Sequence, residues 1–142
     1  MKRIFVDANI LVDFFDKYAE EHNVSVMVMN LLLNQYQILV TPTSFAITYY
    51  LALKNMVEKN KATYHIKAVF SAFNFVKEDQ DTMNKVFKSK FNDLEDALQY
   101  FAAEDAKADC IITKNTHDFH RARIPVMHPL VFLEDHYSKK GN

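Results

Sequence analysis

Apolar residues in this chain fall into two kinds of run, and the two alternate. Short unbroken runs of β-branched and aromatic residues predict buried strands over 3–6, 37–40, 75–77 and 110–113, with a weaker one over 125–127. Between them the apolar residues recur at helical spacing. Val24, Met27, Val28, Leu31 and Leu32 predict a helix over 24–33. Thr41-Pro42-Thr43-Ser44 opens another over 42–56, since proline suits a first helical turn. Ile66, Val69, Phe70 and Phe73 share a stripe over 62–74, and a short helix is expected near 79–87. Leu94, Ala97, Leu98, Phe101 and Ala102 share a face over 93–105, and a last helix follows Pro129 over 130–136. Strands separated by helices predict an α/β domain with a mostly parallel sheet and right-handed crossovers. No linker, repeat or low-complexity segment interrupts the pattern. One domain is expected over 1–138, followed by a short polar tail over 139–142.

Composition narrows the chemistry. The single glycine is Gly141, in the tail, which excludes a phosphate-cradling P-loop and the dinucleotide fingerprint. The single cysteine, Cys110, excludes an intrachain disulfide and a multi-cysteine metal site. Its apolar neighbours predict a core thiol. The net charge of −1 leaves no broad basic field, so a nucleic-acid partner would be met by local cations or through bridging metal ions. The small clusters Lys54/Lys59/Lys61, Lys85/Lys88/Lys90 and Arg121/Arg123 read as solvated faces. The pair His117 and His120 reads as loop histidines, because zinc would need further ligands at defined spacing. The chain opens straight into a strand and has no apolar run of membrane-spanning length. A cytoplasmic protein with no membrane partner is expected. The strongly apolar stretch 24–33, with Tyr36 after it, is core by default, with a partner protein or a second subunit as the other way to bury it.

Acids stand at the ends of the predicted strands. Asp7 follows the first, where an open parallel sheet presents its ligands. Asp93 and Asp96 open a helix and share a face, with Glu95 pointing elsewhere. Asp118 ends the polar loop after the fourth strand. Each has a plain alternative. Asp7 and Asp93 suit helix caps, acids in a first turn suit the helix dipole, and Asn115 and Asp118 suit turns. If they meet, carboxylates about 5 Å apart repel by roughly 3 kcal/mol per pair at an effective dielectric near 20. Such a cluster calls for a cation or raised pKa values, and hard carboxylate oxygens suit Mg2+ or Mn2+.

Three ordered stretches resemble the signatures of the PIN-domain family. They are Val6-Asp7-Ala8-Asn9-Ile10-Leu11-Val12-Asp13, Asp93-Leu94-Glu95-Asp96-Ala97-Leu98 and Ile111-Ile112-Thr113-Lys114-Asn115-Thr116-His117-Asp118-Phe119. The resemblance spans almost the whole chain. It implies a three-layer α/β/α fold around a mostly parallel sheet of four to five strands. It also implies a metal-dependent endoribonuclease acting on single-stranded RNA, often the toxin of a bacterial toxin–antitoxin pair. An RNA substrate, an antitoxin protein and a second copy of the chain are the implied partners, and Mg2+ or Mn2+ the implied cofactor. Asp7, Asp96 and Asp118 match the acidic, catalytic metal-site positions, with Asp93 as a nearby fourth acid. Thr113 and Asn115 match the polar positions that brace the site, and Asn9 joins them.

One departure stands out. The family usually carries a glutamate in the helix after the second strand, whereas 41–51 here has no acid. Ser44 and Thr48 offer only hydroxyls, which neutralise no metal charge, so Asp93 is expected to take that part. The missing acid supports an alternative, a non-catalytic PIN-fold module that binds RNA or a protein partner. A haloacid-dehalogenase-type phosphatase is a weaker alternative: it needs a second acid two residues after the first, where this chain has Asn9. For the nuclease, Asp7→Asn is expected to abolish cleavage and, by relieving repulsion, to raise thermal stability in chelator.

Overall fold

In the computed structural model, residues 2–55, 59–119 and 122–140 are described. Met56, His120 and Arg121, and the tail beyond Lys140, lie outside them. The strands are β1 Arg3–Val6, β2 Gln37–Val40, β3 Phe73–Phe75, β4 Cys110–Ile112 and β5 Val126–Met127. They form one sheet in the order β3-β2-β1-β4-β5, every pair parallel. The helices are α1 Ala8–Phe15, α2 His22–Gln35, α3 Pro42–Asn55, α4 Lys59–Phe70, α5 Gln80–Lys88, α6 Leu94–Asp105 and α7 Pro129–Lys140.

The sheet is covered on both faces because its central strands carry unbroken apolar runs, over 4–6, 38–40 and 110–112, and not alternating ones. Ile4, Val6, Ile38, Val40, Cys110 and Ile112 pack on α1, α2 and α7, through Ile10, Leu11, Val28, Met29, Leu32, Phe132 and Leu133. Phe5, Leu39 and Ile111 face the other way, onto Tyr100, Ala102 and Ala103 of α6 and onto Phe119. This is the three-layer α/β/α arrangement expected from the sequence. Among the described residues, no helix is long and apolar enough to cross a membrane.

Boundaries differ where one apolar residue suits two periods. Phe73 falls on the helical stripe of 62–74, yet α4 stops at Phe70 and Phe73 pairs with Ile38 in β3. The third strand therefore lies two residues earlier than expected. Helix α7 runs on to Lys140, so Lys139 and Lys140 belong to it and not to a separate tail. Lacking an internal glycine, the chain leaves α6 through Lys107 in the left-handed region (φ 57°), and the Ala108 amide returns to the Ala103 carbonyl. That conformation costs a non-glycine residue about 1–2 kcal/mol. It turns the chain directly into β4.

Candidate metal centre

The site is built where β1 and β4 end side by side. Val6 pairs with Ile112, so the next residues, Asp7 and Thr113, emerge together at the carboxyl edge of the sheet. The Asp7 amide donates to the Ile112 carbonyl at 3.0 Å. The Thr113 hydroxyl donates to Asp7 Oδ2 at 2.6 Å, and Asn9 Nδ2 donates to the same oxygen at 3.0 Å. Asp7 Oδ1 accepts the Asn9 amide at a longer 3.4 Å, as the N-cap of α1. The two readings of Asp7 are thus compatible: it caps α1 while its carboxylate stands at the sheet edge, only 4% exposed.

Thr113 also shapes the next turn. Its Oγ1 accepts the Asn115 amide at 3.1 Å, and the Asn115 carbonyl accepts the Asp118 amide at 3.0 Å. Asn115 therefore contributes backbone groups, and its side chain is exposed. Asp118 is half-buried in the 3-10 turn Thr116–Phe119, with Oδ1 3.1 Å from His117 Nε2. Lys114, ion-paired with Asp13, ties this turn back to α1.

Helix α6 brings the remaining acids. Asp93 is its N-cap, Oδ1 accepting the Asp96 amide at 2.9 Å, and its side chain is exposed. The expectation that Asp93 turns inward to replace the missing acid is not what the structure has. A free amide at the start of α6 is the nearest donor, and it takes the carboxylate. Asp96 is half-buried, and its carboxyl is pushed up to about 7. Burial is the main cause, followed by the negative charges of Asp93, Asp7, Asp118 and Glu95. Glu95, read from helical spacing as facing away, is exposed, and its carboxyl is raised by partial desolvation and then by Asp7 and Asp93.

The helix that lacks an acid sends a neutral network into the site. Ser44 Oγ donates to Gln99 Oε1 at 3.1 Å, and the Ala8 amide, next to Asp7, donates to the same oxygen at 3.2 Å. Thr41 Oγ1 donates to Ser44 Oγ at 2.7 Å, while Thr48 Oγ1 donates to the Ser44 carbonyl within α3. Ser44 thus serves Gln99, and Thr48 serves its own helix, so neither hydroxyl goes to the acids. Gln99 was missed in the sequence. Its signal is a lone amide among Ala97, Leu98, Ala102 and Ala103, a polar residue on a buried helical face.

The donor chemistry fits a hard divalent cation: carboxylates whose charges raise the proton affinity of Asp96, with Asp7 held by neutral donors. Among the described residues, no three His, Cys, Asp or Glu side chains are already drawn into a ligand shell.

Comparison with known proteins agrees with this architecture. A PIN-domain family model matches residues 3–117, ending one position before Asp118. The chain is 31% identical over 140 residues to Ribonuclease VapC1 of Aquifex aeolicus (strain VF5), covering 94% of each. Two solved structures share the fold. VapBC2 from Rickettsia felis, bound to a promoter DNA fragment, superposes with a TM-score of 0.67 at 14% identity, covering 89% of this chain and 98% of that one. A toxin–antitoxin complex from Klebsiella pneumoniae gives a TM-score of 0.67 at 22% identity, with 89% and 97% covered.

Proposed function

Because the chain belongs to the PIN-domain family, we propose that it is a metal-dependent endoribonuclease hydrolysing phosphodiester bonds of single-stranded RNA. In this reading it acts in the cytoplasm as the toxin of a toxin–antitoxin pair. The observation that carries the nuclease reading is Asp96, a half-buried acid near enough to Asp93, Asp7 and Asp118 for their charges to raise its proton affinity. Asp7, Asp96 and Asp118 would hold Mg2+ or Mn2+, with Asp93 adding charge from the rim. Such a cation would supply a more acidic water and would offset negative charge on the phosphodiester.

The chain's own residues set the geometry. Thr113 and Asn9 fix the Asp7 carboxylate, so it turns little when a ligand arrives. The Asn115 carbonyl holds the Asp118 amide and so fixes the turn that carries the Asp118 carboxylate. Asp96, raised to about 7 in the metal-free protein, would give up its proton as it takes up the cation.

Two observations support a protein partner. The Klebsiella match is a toxin–antitoxin complex. Here Met27 and Leu33 of α2, with Leu130, Val131 and Tyr137 of α7, remain exposed on helices that pack together. An antitoxin is the proposed occupant, with a second copy of the chain as the other.

The test is cleavage of single-stranded RNA with Mg2+, with Mn2+ and in chelator, for the unaltered protein and for Asp7→Asn. Cleavage lost in chelator and in Asp7→Asn is expected; cleavage surviving either change overturns the mechanism. The lack of an acid over 41–51 favours a second reading, a non-catalytic binding module for RNA or a protein partner. RNA binding without cleavage at millimolar metal would establish it.

A further inference from the structure

Asp96 and Gln99 are complementary and unpaired. The Asp96 carboxylate accepts no hydrogen bond among the contacts of the described residues, whereas Asp7 accepts three. Gln99 is 1% exposed, and its Nε2 is a buried donor with no acceptor. The orientation of that amide is settled by its neighbours. Two donors, the Ala8 amide and the Ser44 hydroxyl, converge on Oε1. The other end must therefore be the NH2 group. Leaving it unsatisfied costs about 1–3 kcal/mol.

The two residues are three apart on α6 and share a face. A helical side chain lies back over the turn preceding its own Cα, and for Gln99 that turn carries Asp96. Rotation of the Asp96 side chain on that shared face would supply the missing acceptor. The Ala8 and Ser44 bonds meanwhile hold the donor to α1 and α3, so Gln99 would fix Asp96 relative to Asp7 as well as to its own helix.

We propose that Gln99 is a positioning residue of the metal centre: Nε2 donates to the Asp96 carboxylate when a divalent cation draws that carboxylate into the site. This rests on the metal-binding reading above. It gives the buried Thr41–Ser44–Gln99 relay a function. The relay sets the direction of one ligand, and contributes no charge.

Side-chain amide NMR of 15N-labelled protein titrated with Mg2+ tests it. The Gln99 NH2 signals, assigned by their loss in Gln99→Met, are expected to move downfield with the backbone amides of Asp7 and Asp96, and to stay put in Asp96→Asn. Gln99 signals that stay fixed in the unaltered protein while those amides move would overturn the proposal alone. If nothing moves at millimolar Mg2+, the metal-binding reading fails and the proposal falls with it. In parallel, Gln99→Met should weaken Mn2+ binding, followed by electron paramagnetic resonance, about 10-fold to 100-fold. A loss below about twofold in a variant whose thermal melt stays cooperative would count against the donor role.

Discussion

The Thr113 hydroxyl donates to Asp7 Oδ2 at 2.6 Å, joining two residues 106 positions apart in sequence. Both are buried. Parallel pairing of β1 with β4 puts them side by side, and the bond turns a strand-end acid into an oriented one. It also sets the terms on which the site can be altered.

Thr113→Val keeps the shape and removes the donor. A hydrogen bond to a buried carboxylate contributes about 1.5–3 kcal/mol, so a loss of that order is expected in thermal or denaturant unfolding. Cleavage should fall about 10-fold or more, because Asp7 loses its orientation. Unchanged unfolding and unchanged cleavage would show that Thr113 has no part in the site.

Neutralising the acids should separate braced from unbraced carboxylates. Asp7→Asn was expected from sequence to stabilise the protein in chelator. The structure reverses that sign, because both Asp7 oxygens accept from donors and an amide offers only one acceptor. A loss of about 1–3 kcal/mol is expected. Asp96→Asn should stabilise instead, since it removes a charge set among Asp93, Asp7, Asp118 and Glu95. Both should abolish cleavage. Melting curves in chelator that rank the two the other way would refute the assignment.

The stability of the metal-free protein should depend on pH through Asp96. Its carboxyl is raised from 3.8 to about 7 on folding. Between those values the folded protein holds a proton that the unfolded chain has lost, so Asp96 lowers stability as the pH rises through that window. Glu95 is raised as well and acts in the same direction. The stability gap between Asp96→Asn and the unaltered protein should thus be small near pH 4 and widest above pH 7. Metal binding near pH 6 should release protons, seen as a buffer-dependent heat in calorimetry.

Asp93 can be tested as cap against ligand. Asp93→Ser keeps a capping oxygen and removes the charge, whereas Asp93→Ala removes both. If the cap dominates, only the alanine variant loses about 1 kcal/mol of stability, and the serine variant keeps most of its cleavage. If Asp93 ligates the metal directly, cleavage by the serine variant should collapse as far as that of Asp96→Asn.

Local chemistry in the sequence determined much of this protein. Unbroken apolar runs and helical stripes dictate the alternation of strand and helix, because the spacing that brings apolar side chains onto one face fixes the local period. β1 and β2 fall where their runs predict. The acids at positions 7, 96 and 118 were legible because each ends a strand, opens a helix or closes a loop. The cap that Asp93 makes, three residues along its own helix, is local and was one of the two readings the sequence offered. That Thr113 would hold Asp7 was decided only by tertiary structure. Phe73 fitted a helical stripe and a strand equally until pairing with Ile38 chose. Gln99 looks like an ordinary helix residue until α1 and α3 close over it and force its amide into one orientation. A periodic pattern says which face is buried. The partner of a polar group is set by where other segments come to rest, and that information lies in the packing.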